Sequence, residues 1–209
     1  MTRLFDTVAI VAAVLLIWLG LHAYAGDAAI ASPSAAFAFA AELFSRPTFW
    51  RHVGATMAAF AAAFAISAVA GVGFGLLLGA RRFAGEVAEP VLGSLYTIPK
   101  VTLYPLMLLA FGLGMSAKVA FGVIHGVIPI MLFTMAAAKN VQPVLLRTAR
   151  VLRLTTAQTA LTVLAPAVTP EIVTGLRVGF ALTLLGVLIG EMFASQRGLG
   201  FGRRAPAEC

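Results

Sequence analysis

Charge is what this sequence has least of. Only 11% of its 209 residues are Asp, Glu, Lys or Arg, while 61% are hydrophobic; an ordinary soluble domain carries about 25% charged residues. So few charges cannot clothe a water-soluble globule, and lipid is the solvent implied for most of the chain. Acids are scarcer than bases, eight against fifteen, leaving a formal net charge of +7. That excess does not point to nucleic acid, because the bases are scattered at the ends of apolar segments and not interleaved with aromatics in one patch. Positive-inside membrane topology explains the placement.

Cysteine occurs once, at Cys209, which excludes an intrachain disulfide and a Cys/His metal cluster. His22, His52 and His125 lie far apart with no carboxylate or cysteine at ligand spacing, so they read as core or interface histidines. A Gly-rich phosphate loop, a Ser/His/Asp order and an HExxH helix are all missing. The sequence therefore names no catalytic residue, no metal site and no cofactor of its own. If ATP powers this protein, another chain hydrolyses it.

What is present is a set of uncharged runs, each near the roughly 20 residues that a helix needs to cross about 30 Å of hydrocarbon. They predict five spans at about 7–26, 53–80, 87–112, 118–138 and 171–193. Fold class is thus all-α, a polytopic transmembrane helical bundle. The first span, with Arg3 before its apolar run Val8 to Leu21 and the small-x-small site Ala23-Tyr24-Ala25 following that run, has the form either of an uncleaved span or of a signal peptide. The connector from Asp27 to His52 holds a stretch, Ser34 to Ser45, that suits an interfacial or a core-packed helix. Residues 1–52 form the first region, 53–202 the membrane core and 203–209 a short atypical tail. Counting Lys and Arg in loops gives seven on the side of Arg3, Arg81 and Arg82 and six on the other, which places the N-terminus in the cytoplasm.

Small residues recur every fourth position, at Gly71, Gly75 and Gly79, at Gly122 and Gly126, and at Gly175, Gly179, Gly186 and Gly190. Such spacing lets helix backbones approach where lipid supplies no hydrophobic drive. The third span contains Tyr96-Thr97-Ile98-Pro99-Lys100 followed by Tyr104-Pro105, so two prolines interrupt its hydrogen-bond ladder. Pro99 and Lys100 then either line a wet cavity on a translocation path, or Lys100 snorkels to an interface. Glu191, near the end of the last span, has the same two readings: path residue, or paired and interfacial carboxylate.

Between the fourth and fifth spans lies a polar island, residues 139–170, with Lys139, Arg147, Arg150 and Arg153 and no acid until Glu171. It must lie outside the hydrocarbon, where each central charge costs about 2.5 to 3.5 kcal/mol. Its pattern predicts two short helices: an amphipathic one after Pro143, and a second N-capped by Thr155 or Thr156, running through Gln158 to Leu164. Pro166 and Pro170 are expected to stop the second and redirect the chain into the membrane.

LLRTARVLRLTTAQTALTVLAPAVTPEIVTGLRVGF, residues 145–180, resembles the cytoplasmic motif of ABC-importer permeases: Glu-Ala-Ala, three residues, Gly, nine residues, an apolar residue, one more, Leu-Pro. IGEMFASQRGLGFG and SLYTIPKVTLYPLMLLAFGLG, residues 94–114, resemble the nitrate/sulfonate/taurine branch. The resemblance covers about residues 50–202. Arg147, Thr148, Arg153 and Ala165 stand where the motif has Glu, Ala, Gly and Leu, while Ala149, Leu152, Gln158, Pro166 and Pro170 keep its frame.

That resemblance implies a type I importer permease in a bacterial inner membrane, a conduit and not an enzyme. Its partners would be a cytosolic ABC ATPase dimer, a periplasmic or lipid-anchored solute-binding protein, membrane lipid and a second copy of itself. The solute would be a small anion such as a sulfonate, taurine or nitrate. Arg147, Arg150, Leu152, Arg153, Thr155, Thr156, Gln158 and Pro166 would form the ATPase-coupling surface. Because family members continue beyond the Gly-Leu-Gly segment, the ending RRAPAEC is expected to mark a truncation or shifted frame that omits a final span. Two alternatives stay open: a stand-alone secondary transporter or channel using Lys100 and Glu191, and a non-functional permease remnant.

Overall fold

The computed structural model describes residues 2–155, 158–194 and 198–200, and every element within them is helical. Contacts divide the chain into two units, Met1–Arg51 and His52–Cys209. In the first, α1 (Thr2–Ala25) is a single apolar helix. The following connector folds back along it: Trp18 Nε1 donates to the Ala31 carbonyl at 3.1 Å, and His22 Nδ1 donates to that of Ile30 at 2.7 Å. The interfacial stretch becomes α2 (Pro33–Ser45), started by the Ser32 hydroxyl, which accepts the Ala35 N–H, and by Pro33 in the first turn, where its missing N–H costs nothing. Phe44, Phe49 and Trp50 pack edge to face, with Phe49 and Trp50 centroids 5.5 Å apart.

The second unit is built around α6 (Met115–Lys139), whose residues are buried along most of its length. Against it lie α3 (Pro47–Ala80), from its residue 52 onward, and α8 (Ala165–Ala194). Glycine makes this packing possible. A Cβ on Gly71 would come within 2.7 Å of Ile130, one on Gly75 within 2.6 Å of Thr134, and one on Gly79 within 2.6 Å of Ala138. From the other side Gly175 abuts Phe133 and Gly179 abuts Ile130. The four-residue spacing is therefore a contact seam at which van der Waals packing replaces the hydrophobic drive that lipid removes.

Among the described residues, four helices are long and apolar enough to span a membrane, and a bent pair counts as a fifth crossing if its two helices are one span. The expected continuous third span is in fact two helices, α4 (Arg82–Thr97) and α5 (Tyr104–Phe111), meeting at 85°. Pro99 forces the break: it supplies no N–H and holds Ile98 in extended conformation, φ −60° and ψ 133°. Lys100–Leu103 then makes one 3-10 turn before α5 begins. At Gly112 and Gly114, with φ of 72° and 134°, the chain reverses into α6, at the Gly-Leu-Gly turn that the sequence marks.

Pro166 and Pro170 do not stop a helix. After α7 (Pro143–Val151), a π-helical segment, Thr159–Leu164, runs straight into α8, and both prolines lie within that helix. The wider π turn gives the Pro166 ring room where an α turn would press it against the preceding carbonyl. Thr162 and Thr169 hydroxyls donate to the carbonyls of Gln158 and Ala165 at 2.7 and 2.6 Å, satisfying acceptors around the irregular turn.

Candidate functional site

Two arrangements of polar groups stand out, at opposite ends of the α6/α8 pair. The first is the loop between those helices. α7 places Arg147 and Arg150 in solvent and turns only Ala149 fully inward. It ends in a two-bond cap: the Leu154 N–H donates to the Ala149 carbonyl at 3.0 Å and the Arg153 N–H to that of Arg150 at 3.1 Å. This Schellman geometry requires a left-handed residue at its centre. Arg153 fills that place with φ 53°, alone among the described non-glycine residues. The position is the one that the resemblance aligns with the Gly of the importer motif, and here an arginine holds the turn that glycine favours.

Thr155 then opens the next helical stretch through a reciprocal pair: its hydroxyl accepts the Gln158 N–H at 3.3 Å, and the Gln158 side-chain carbonyl accepts the Thr155 N–H at 2.9 Å. That is a capping box, and it settles Thr155 as the capping residue; Thr156 lies outside the described residues. Leu152 is 63% exposed and Val151 82% exposed beside the three arginines. Pro166 lies at the start of α8, away from that exposed turn. At the root of the loop a cavity of about 420 Å³ is lined by Asn140, Gln142, Leu145 and Glu171 among others. Lys139 pairs with Glu89 at 2.6 Å, tying α4 to the end of α6.

The second arrangement is a buried charge cluster at the far end. Glu191 of α8 is 1% exposed and Lys118 of α6 4% exposed, and they pair at 3.3 Å. The Thr56 hydroxyl of α3 lies 3.0 and 2.9 Å from the two carboxylate oxygens, and the Gly200 N–H donates to Oε2 at 3.1 Å. Two further bonds frame the group. The Leu199 N–H donates to Thr56 Oγ1 and the Gly198 N–H to His52 Nδ1, each at 3.0 Å. One residue before Glu191, the Gly190 carbonyl accepts the Tyr104 hydroxyl at 2.7 Å. Tyr104 also begins an aromatic column, with Phe121 at 5.0 Å and His125 beyond it at 4.5 Å from Phe121.

Lys100 and Glu191, paired in sequence reasoning as path residues, are not brought together. Lys100 folds back over its own turn, donating to the Tyr96 carbonyl at 2.9 Å with the Tyr96 ring 4.8 Å beneath it. Pro99 occupies the break itself. Glu191 is enclosed by the bundle, and neither Thr56 and Lys118, which bond its carboxylate, nor Tyr104, which bonds the carbonyl of Gly190 before it, is given a role by sequence reasoning. Lys118 carried a signal, since it is the lone cation opening an apolar run at the same end of the bundle as the lone Glu191. Thr56 and Tyr104 carried none, because nothing local separates a hydroxyl that bonds a distant helix, Thr56 to the Glu191 carboxylate and Tyr104 to the Gly190 carbonyl, from one facing its own helix.

Comparison with known proteins agrees with this architecture. The chain is 31% identical over 147 residues to the nitrate import permease protein of Synechocystis sp. strain PCC 6803, covering 70% of this chain and 54% of that protein. It is 29% identical over 158 residues to the taurine transport system permease protein of Escherichia coli strain K12, covering 76% of this chain and 58% of that one. A bicarbonate transport system permease protein of Synechococcus elongatus is 30% identical over 154 residues, 73% of this chain and 55% of that protein. The chain spans somewhat more than half the length of these curated relatives. Residues 71–207 match the model of one family, so this chain, a multi-pass inner-membrane protein, belongs to the binding-protein-dependent transport system inner membrane components.

Proposed function

We propose that this chain is the conduit subunit of an ATP-driven importer and that the loop from Lys139 to Pro170 faces the cytosol, where it couples to a separate ATPase. The observation that carries the reading is the surface of α7 and its capped end. Arg147, Arg150 and Arg153 stand exposed around the aliphatic Val151 and Leu152. An exposed aliphatic pair ringed by cations, held by a fixed turn and a capping box, is built as a contact and not as a solvated linker. Leu152, Thr155 and Gln158 hold its shape, Pro166 joins it to α8, and Thr156 belongs to the same stretch by sequence. A symmetric pair of these chains would present two such loops to an ATPase dimer.

For solute, the reading is a small anion delivered by a binding protein. The relatives are named for taurine transport, nitrate import and bicarbonate transport, and the cation Lys100 sits beside Pro99 at the break between α4 and α5. A broken crossing with a cation at the break is a place where an anion can exchange its hydration for protein contacts. Co-purification tests the coupling surface. An ATPase subunit is expected to be retained by the native chain and lost with Arg150→Glu combined with Arg153→Glu. Retention by the double variant, with transport unchanged, would reject the loop as the contact and favour a transporter that acts alone.

A further inference from the structure

We propose that Glu191 is a positioning residue: with Lys118 and Thr56 it forms a charge node that fixes the far end of α8 and, through Gly190 and Tyr104, holds the bent α4/α5 segment at one angle. The inference rests on the reading of this chain as a transport conduit. Three donors converge on one carboxylate: the Thr56 hydroxyl on α3, which lies within reach of both oxygens, Lys118 Nζ on α6, and the Gly200 N–H beyond α8. The last approach is possible because residues 198 and 200 are glycines. A Cβ on Gly198 would overlap the Glu191 carboxylate, and one on Gly200 would come within 2.7 Å of the Glu191 Cβ. Gly198 also has φ 131°, a conformation that side chains resist.

Packing alone does not call for such a group. A buried ion pair is a weak source of stability, and well-packed apolar residues often replace it without loss; its best-attested use is to fix one register among several. The α6/α8 seam is lined with small residues and could slide by a turn, and a carboxylate with directional donors permits one alignment. Tyr104 extends that alignment to the bend. It is the first residue of α5, one 3-10 turn from Pro99 and Lys100, and its hydroxyl is bonded to the residue preceding Glu191. Movement of α8 driven from the loop end is thereby transmitted to the break as a rigid step.

The test uses the full chain in proteoliposomes, with Cys209→Ser and a reporter Ile98→Cys at the break, where Ile98 is exposed. Labelling of the position-98 thiol by a membrane-impermeant maleimide is measured for the native node, for Lys118→Met with Glu191→Gln, and for Tyr104→Phe. The neutral pair keeps the shape and one acceptor oxygen while removing both charges. Expected is a labelling rate changed by about fivefold or more in both variants, with the melting temperature of the neutral pair within about 4 °C of the parent. Labelling unchanged in both, with only the melting temperature moved, would reduce the node to packing and overturn the proposal. If the neutral pair fails to fold, Tyr104→Phe decides alone, since it leaves every charge in place. ATPase co-purification, scored separately, reports on the importer reading: its loss with labelling changed as expected rejects that reading and leaves the node standing.

Discussion

Arg153 shows how a turn can be held without the residue that favours it. A left-handed side-chain-bearing residue costs about 1 to 2 kcal/mol through its Cβ, and Arg153 bears that cost at φ 53° because two cap bonds hold the turn. Arg153→Gly relieves the clash but releases more freedom in the unfolded chain, an offset of about 0.5 to 1 kcal/mol. The net expectation is a stabilisation of about 0.5 to 1 kcal/mol, measured on the isolated chain by detergent unfolding. A destabilised glycine variant would mean that the Arg153 side chain contributes more than its backbone strain removes. The left-handed turn was legible only through the motif frame, because an arginine by itself predicts the opposite conformation.

Helix α3 carries its own control for the glycine seam. Gly73 and Gly75 are two residues apart on one helix, yet a Cβ on Gly73 meets nothing within 4 Å, whereas on Gly75 it comes within 2.8 Å of the Met131 carbonyl oxygen and 2.6 Å of Thr134. Backbone cannot move aside cheaply, so Gly75→Ala is expected to cost about 1 to 3 kcal/mol. Gly73→Ala should be neutral or stabilising by up to about 1 kcal/mol. Melting curves of the two variants check the difference, and equal losses would mean that helix propensity and not contact governs this segment. The four-residue repeat made the seam legible, as apolar run length made the spans legible. The break at Pro99 could be read from the proline, but its 85° angle could not, because the angle is set by where α5 docks on α6 and α8. The passage of α8 through Pro166 and Pro170 was misread for a related reason: a proline predicts a lost bond and a clash, and at Pro166 a preceding π turn removes the clash without any signature in composition, while nothing in the structure explains how the helix accommodates Pro170.

Across the whole molecule two ion pairs of similar chemistry should differ sharply in what they contribute. Lys139 and Glu89 meet at 2.6 Å, with the Glu89 side chain 59% exposed. Water reaches Glu89 freely and Lys139, 24% exposed, in part, and pairs open to solvent contribute about 0 to 1 kcal/mol. Lys118 and Glu191 are farther apart, at 3.3 Å, but have side-chain exposures of 5% and 0%. Removing one partner there leaves a buried charge without the counter-ion it pairs with, a loss of about 3 to 5 kcal/mol. Lys118→Met is therefore expected to destabilise the chain far more than Lys139→Met, although the shorter contact belongs to the latter. Detergent unfolding of both variants, at low salt and at high salt, separates the cases, because salt screens the exposed pair and leaves the buried one nearly untouched. Equal and salt-sensitive losses would show that water reaches Glu191, and the enclosure of the far end by Gly198 and Gly200 would then have to open in solution. A large, salt-insensitive loss confined to Lys118→Met would place the strongest polar restraint of the bundle at the end opposite the loop. Motion initiated at α7 would then pass along α8 as one rigid element and reach the bent α4/α5 segment through the Tyr104 bond to Gly190.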